Sequence, residues 1–236
     1  MIRTSRLPLL RSGYGAMAAM RNLLVALALL AACTTPGGAT AELRLLAFGD
    51  SLVQGYGLPE GQGFVPRLEA WLAANGAPDV AVTNAGVSGD TTAGGLARID
   101  WALADDGFDA VIVVLGGNDM LRGLDPAQVR ANLDGILAAI EAAGLPVLLA
   151  GVPAVANYGE DYARDFRALY RELAATHGAV LYPSFFAGMG EGRSPAEVMG
   201  LMQPDGIHPN AAGVELIVAA IGPSVLELVE IAQARR

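Results

Sequence analysis

Lysine is absent from all 236 residues, cysteine occurs once and histidine twice. Each scarcity removes a class of chemistry. Without lysine there is no lysine Schiff base and no lysine general base. The single cysteine, Cys33, lies in an N-terminal stretch that reads as a removable leader. The domain that follows then holds no thiol, which excludes disulfides, cysteine nucleophiles and thiolate metal sites. Two histidines, His177 and His208, with no cysteine beside them are a poor basis for zinc, so neither metal nor cofactor is expected. Basic charge is scarce too: beyond the leader 11 arginines face 24 acidic residues, a balance of −13. So acidic a domain, without a basic run, suits neither nucleic acid nor an anionic membrane surface. No Gly-x-Ser-x-Gly or P-loop occurs, and Gly55-Tyr56-Gly57 lacks the third glycine of a dinucleotide site.

The leader covers residues 1–41. Arg3, Arg6, Arg11 and Arg21 precede the apolar run Leu23 to Leu30, and no acid occurs before Glu42. A positive segment followed by an apolar run too short to cross a bilayer is the pattern of an export signal. The positive segment is long, so translation from Met17 or Met20 fits it as well. Two processing sites compete. Leu30-Ala31-Ala32-Cys33 resembles a bacterial lipobox and would place a lipid anchor on Cys33, whereas Ala39-Thr40-Ala41 would release a soluble protein beginning at Glu42. Both imply an exported, periplasmic protein with a domain at 42–236.

In that domain 53% hydrophobic content over the whole chain is ample for a core. Strand-like apolar runs, 43–48, 80–84, 110–115, 147–150 and 179–182, alternate with helical patterns at 64–74, 92–104, 126–143 and 162–176. The third helix is the best defined: Asp125 can cap it, Pro126 suits its first turn, and Gln128 has capping-box spacing. A last helical region runs from Ala211, with a break expected at Gly222-Pro223 and a short helix resuming at Val225. Strands alternating with helices predict parallel βαβ units, hence one α/β domain, a three-layer α/β/α sandwich on a five-stranded parallel sheet. It carries no internal repeat or linker, and a monomer is the expectation.

The chain is organised around Leu45 to Leu52, an apolar run that stops at Gly49-Asp50-Ser51. In a parallel sheet the ligand crevice lies beyond the carboxyl ends of the strands, which puts Ser51 at its lip. Two further loops follow strands and should emerge at the same edge: Ser88-Gly89-Asp90-Thr91 and Gly116-Gly117-Asn118-Asp119. Glycine N–H groups and an asparagine amide are the donors an oxyanion requires. Taken singly, each has an ordinary structural reading as turn, cap or brace. His177, at the end of a helix, is read as a partner of the last carbonyls. His208 differs, because Asp205-Gly206-Ile207-His208 places an acid three residues before it in a turn. A serine needs a base that is itself oriented by a third group, and this turn can supply both.

Together, Gly49-Asp50-Ser51-Leu52, Ser88-Gly89-Asp90, Gly116-Gly117-Asn118-Asp119 and Asp205-Gly206-Ile207-His208 resemble, in order and spacing, the four blocks of the SGNH (GDSL) hydrolases. Leu115 to Gly123, Ala156-Asn157-Tyr158-Gly159 and Asp205 to Asn210 are most similar to the bacterial thioesterase I/arylesterase branch. The resemblance implies a flavodoxin-like fold and a serine esterase or thioesterase of arylesterase, acyl-CoA thioesterase or lysophospholipase type. It implies Ser51 as nucleophile, His208 as base and Asp205 as its orienter. The oxyanion would be met by the Ser51 and Gly89 N–H groups and the Asn118 side chain. Apolar loops flank these blocks at Met120-Leu121, Val152-Pro153-Ala154-Val155, Phe185-Phe186 and Val198 to Met202. Met120, Val152, Pro153 and Met202 are candidates to hold an acyl chain, with core packing as the competing reading for 198–202. Two alternatives stay open: a carbohydrate O-acetylesterase on the same scaffold, and a non-catalytic lipid- or wall-binding lipoprotein.

Overall fold

Alternate residues of the strands point to two different cores, as the pleat demands of a sheet covered on both faces. The computed structural model describes residues 42–236 apart from positions 106 and 155. The leader, both processing sites and Cys33 lie outside the described residues, and so does Val155. In order the chain forms β1 (Leu43–Gly49), α1 (Ser51–Gln54), α2 (Phe64–Ala74), β2 (Val80–Gly86), α3 (Thr92–Ala102) and β3 (Ala110–Val114). Then follow α4 (Gly117–Leu121), α5 (Pro126–Ala142), β4 (Val147–Ala150), a 3₁₀ turn (Ala156–Tyr158), α6 (Glu160–His177) and β5 (Val180–Tyr182). The last elements are α7 (Ala187–Gly190), α8 (Pro195–Met199) and α9 (Ala211–Gln233).

All five strands are parallel, in the order β2-β1-β3-β4-β5. Leu45, Ala47, Ile112, Val114 and Leu148 face one core, shared with Phe64, Leu68 and Leu72 of α2 and Ile217, Ile221 and Leu228 of α9. Leu46, Phe48, Val111, Val113 and Leu149 face the other, with Ile99 of α3, Leu133 and Ile136 of α5 and Phe166 and Leu173 of α6. These are the three layers read from the sequence. From β1 the chain passes to β2 on one side and then to β3 on the other. The carboxyl ends of β1 and β3 therefore mark a topological switch point, where such sheets hold ligands.

Three local expectations need correction. Pro223 does not break α9, which runs unbroken over 23 residues. Ile217, Val218, Ile221, Val225 and Leu228 are all buried along it, and Gly222 lies so close to Trp71 that a Cβ would meet its ring at 2.5 Å. Burial of that face on both sides of the proline offsets the roughly 3 kcal/mol that an interior proline costs. At α5, Asp125 accepts from the Ala127 N–H and Pro126 opens the helix, without the reciprocal bond from Gln128. The capping box belongs instead to Ser194 and Glu197 on the short α8. His177, finally, turns away from the carbonyls of its own helix. Its ring nitrogens meet Asp134 at 2.9 Å and Glu141 at 3.2 Å, because α6 packs beside α5. Burial alone would lower the imidazole pKa, but the two carboxylates outweigh it and raise it.

Candidate active site

The site begins where β1 stops. Gly49 sits so tightly between β3 and α1 that a Cβ would lie 2.3 Å from the Val114 carbonyl oxygen and 2.5 Å from Val53. Asp50 then caps α1, accepting from the Leu52 N–H at 3.0 Å, and Ser51 is the first helical residue. A first-turn N–H has no partner within its helix, so that of Ser51 is free to face a ligand. Gly86, at the end of β2, lets α1 approach: a Cβ there would be 2.3 Å from the Gln54 nitrogen. Asp50 is 1% exposed, and burial pushes its carboxyl up to about 6 against the pull of the Leu52 N–H and of His208.

Beyond β2, Gly89 takes the left-handed conformation at φ 81°. Its loop is held from three sides. Arg122 donates to the Gly89 carbonyl at 3.0 Å and the Asn118 amide to the Asp90 carbonyl at 2.9 Å. Arg98 pairs with the Asp90 carboxylate at 2.7 Å while donating to the carbonyls of Ala85 and Gly49. Its guanidinium also lies 4.0 Å over the Phe48 ring. One arginine thus ties together the ends of β1 and β2.

Beyond β3, Gly116 has φ 115°, and a Cβ there would strike the Tyr170 hydroxyl at 2.2 Å. That hydroxyl, buried from the opposite side of the sheet edge, donates to the Leu115 carbonyl at 2.9 Å. The chain then turns into α4, which carries Asn118 and the buried Asp119. Asp119 accepts from the Thr92 N–H at 2.9 Å and from its hydroxyl at 2.6 Å, joining α4 to the start of α3. The Asn118 amide lies 3.4 Å from Asp50 as well as bonding Asp90, so this side chain spans the loops after β1 and β2.

His208 arrives from the other end of the chain. Asp205 folds the turn by accepting from the N–H groups of Ile207 at 2.9 Å and His208 at 3.0 Å. Its second oxygen accepts from His208 Nδ1 at 2.6 Å. These bonds, the ring's first, hold the Asp205 carboxyl down at about 2, so it remains an acceptor at any working pH. Nδ1 therefore carries the proton, and Nε2 is left to accept from the Ser51 hydroxyl at 2.8 Å across 157 residues of sequence. Asn210 seats the turn against α9 by capping that helix through the Gly213 N–H.

A cleft of about 560 Å³ opens over this row, lined by Ser51, Asn118 and His208 and otherwise largely by apolar side chains. Met120, Val152, Pro153 and Met202, the four residues singled out in the sequence, all line it. Phe186 faces it too, while its neighbour Phe185 is buried in the core. In the 198–202 stretch Val198, Met199 and Met202 line the cleft, and Leu201 packs against the core instead. Met189 and Ile207 also contribute; no sequence pattern marks Met189, and Ile207 stands in the Asp205–His208 turn without being singled out for an acyl chain. Gly89 and Asp205 are not among the lining residues; Asp205 acts on the cleft through His208, and Gly89 directly precedes Asp90, whose carbonyl the Asn118 amide holds. Among the described residues no group of three or more His, Cys, Asp or Glu could hold a metal.

Residues 47–216 match the GDSL-like Lipase/Acylhydrolase family. The chain belongs to this family. Esterase TesA of Pseudomonas aeruginosa is 40% identical over 188 residues, which cover 80% of this chain and 90% of that protein. Thioesterase 1/protease 1/lysophospholipase L1 of Escherichia coli (strain K12) is 38% identical over 173 residues, covering 73% and 78%. Among solved structures, the SGNH-hydrolase family esterase AlinE4 superposes with a TM-score of 0.65 at 43% identity. That alignment covers 79% of this chain and 96% of AlinE4. The parallel sheet accounts for the loops after β1, β2 and β3 meeting at one edge, and the Ser51–His208 bond joins the 205–208 turn to them.

Proposed function

We propose that this protein hydrolyses small carboxylic esters and thioesters by acyl transfer through Ser51. The observation that carries the proposal is the unbroken relay from Asp205 to His208 to Ser51, at 2.6 and 2.8 Å, on the floor of an apolar cleft. His208 Nε2 takes the Ser51 proton as Oγ adds to the ester carbonyl. The developing oxyanion is met by the Ser51 N–H at the start of α1, the Gly89 N–H and the Asn118 amide. The imidazolium, stabilised by Asp205, protonates the departing alcohol or thiol. Water then repeats the sequence on the acyl-enzyme and frees the acid. The Asp90 carbonyl fixes the plane of the Asn118 amide, so this donor is oriented before the charge forms.

The lining favours an acyl or aryl group over a sugar. A carbohydrate O-acetylesterase needs polar partners for hydroxyls, and Met120, Val152, Pro153 and Met202 have none to give. A binding protein without catalysis has no use for a histidine held in one tautomer against a serine. Export, with the mature domain at 42–236, follows from the charge pattern of the first 41 residues; a lipid on Cys33 or a free Glu42 terminus are its two outcomes. The mass of the mature N-terminus separates them.

The test is a series of p-nitrophenyl esters of increasing acyl length, with an acyl thioester and an acetylated sugar alongside, on wild type and Ser51→Ala. Turnover of the activated esters, abolished in the variant together with fluorophosphonate labelling, is the expected result. Undiminished turnover by Ser51→Ala sinks the proposal, and preference for the acetylated sugar moves it to the other substrate class.

A further inference from the structure

Among the described residues, two hydrogen bonds join the chain around the serine, residues 51–57, to the chain around the histidine, residues 203–210. One is the Ser51–His208 bond itself. The other runs from Gln203 Nε2 to the Tyr56 carbonyl at 2.8 Å. The same nitrogen also donates to the Pro209 carbonyl at 3.0 Å, and both partners can only accept, which fixes the amide orientation. The Gln203 backbone N–H donates to the His208 carbonyl at 2.7 Å, and Met202 pairs with Pro209 in an antiparallel bridge. Gln203 therefore closes the neck of the loop that carries Asp205 and His208, and it docks that loop on the segment after Ser51.

The receiving segment is shaped for it. Gly57, at φ 73°, has no room for a side chain: a Cβ would lie 2.3 Å from Gln203 Oε1. Docking brings the half-exposed Tyr56 ring against the His208 imidazole, with centroids 4.7 Å apart and planes tilted by 40°.

We propose that Gln203 is a positioning residue that keeps His208 over the ester while Ser51 is acylated. This rests on the reading of Ser51 as the nucleophile. In the free enzyme the Ser51 hydroxyl binds Nε2 and shares with the Gln203–Tyr56 bond the task of holding the two loops together. Once Oγ carries an acyl group it has no proton, and that bond is gone. Asp205 still orients the ring, but it moves with the same loop and cannot hold the loop in place. Of the two bonds, only Gln203–Tyr56 then remains. In this state water adds to the acyl carbon as one of its protons passes to Nε2. The adduct collapses, Oγ leaves and retrieves that proton, and the carboxylic acid departs.

Deacylation should therefore suffer more than acylation when the Gln203 donor is lost. Gln203→Met has similar length and no donor, and Gln203→Glu presents oxygen to two carbonyls. Each should slow deacylation about tenfold, the rate equivalent of one hydrogen bond, while fluorophosphonate still attacks Ser51 within about twofold of the wild-type rate. Gln203→Lys, which restores a donor of similar reach, should recover much of the loss. Stopped-flow bursts with p-nitrophenyl butyrate, and the mass of acyl-Ser51 in quenched samples, separate the two steps. Rates are expressed per titrated Ser51, so unfolded molecules do not enter. Equal slowing of both steps, or of neither, overturns the role of Gln203. Normal turnover by Ser51→Ala would instead overturn the nucleophile on which that role depends.

Discussion

Asp50 lies beside the nucleophile with its carboxyl 1% exposed, and substituting it by asparagine should make the protein more stable at neutral pH. Burial raises the folded-state pKa to about 6, against 3.8 for an ordinary aspartate. The folded chain thus holds this proton to higher pH than the unfolded chain does. The stability contributed by the group is complete below pH 3.8 and is lost as pH rises through about 6. At about 1.4 kcal/mol per pH unit, the loss amounts to about 3 kcal/mol above that range. Asparagine cannot ionise and can still accept from the Leu52 N–H. Its own amide nitrogen would face the Asn118 nitrogen that now lies 3.4 Å from a carboxylate oxygen, at a cost of about 1 kcal/mol. Asp50→Asn should therefore be about 0.5 kcal/mol less stable than wild type near pH 4 and about 2 kcal/mol more stable near pH 7.5, a swing of about 2.5 kcal/mol. Urea unfolding of both proteins at pH 4, 5.5 and 7.5 and constant ionic strength reads that swing. A difference that stays constant with pH, or that grows in favour of wild type as pH rises, would refute the reasoning.

Other expectations follow from the same geometry. Asn118→Ala should lower kcat about 10²–10³-fold with p-nitrophenyl acetate, the cost of one oxyanion donor, and an unchanged kcat would remove the amide from the site. Gly49→Ala forces a methyl group within 2.3 Å of the Val114 carbonyl, so it should cost about 1–3 kcal/mol or more and lower the melting temperature by several degrees. His177→Gln bears on the clasp between α5 and α6. The raised pKa of His177 means that its contribution is complete below the ordinary histidine value of 6.5 and fades as pH rises through the folded value. The stability gap between wild type and His177→Gln should thus be wider at pH 5.5 than at pH 9, and a gap that widens with pH would contradict the pairing with Asp134 and Glu141.

The sequence by itself determined the alternation of strands and helices, the sheet edge on which Ser51, Gly89 and Asn118 emerge, and the Asp205–His208 turn. These features are written locally: apolar runs of strand length end in glycine, and an acid stands three residues before a histidine in a tight turn. The tertiary structure alone decided the rest. It set burial along both sides of Pro223 against the proline penalty and kept α9 whole. It brought α5 beside α6, so that His177 met two acids in place of its own helix end. It also buried Asp50, aimed Asn118 at the Asp90 carbonyl, and carried Gln203 to Tyr56 across 147 residues. The physical reason is common to all of these: a partner's identity depends on which elements pack together and in what register, and no short window of sequence contains both sides of such a contact.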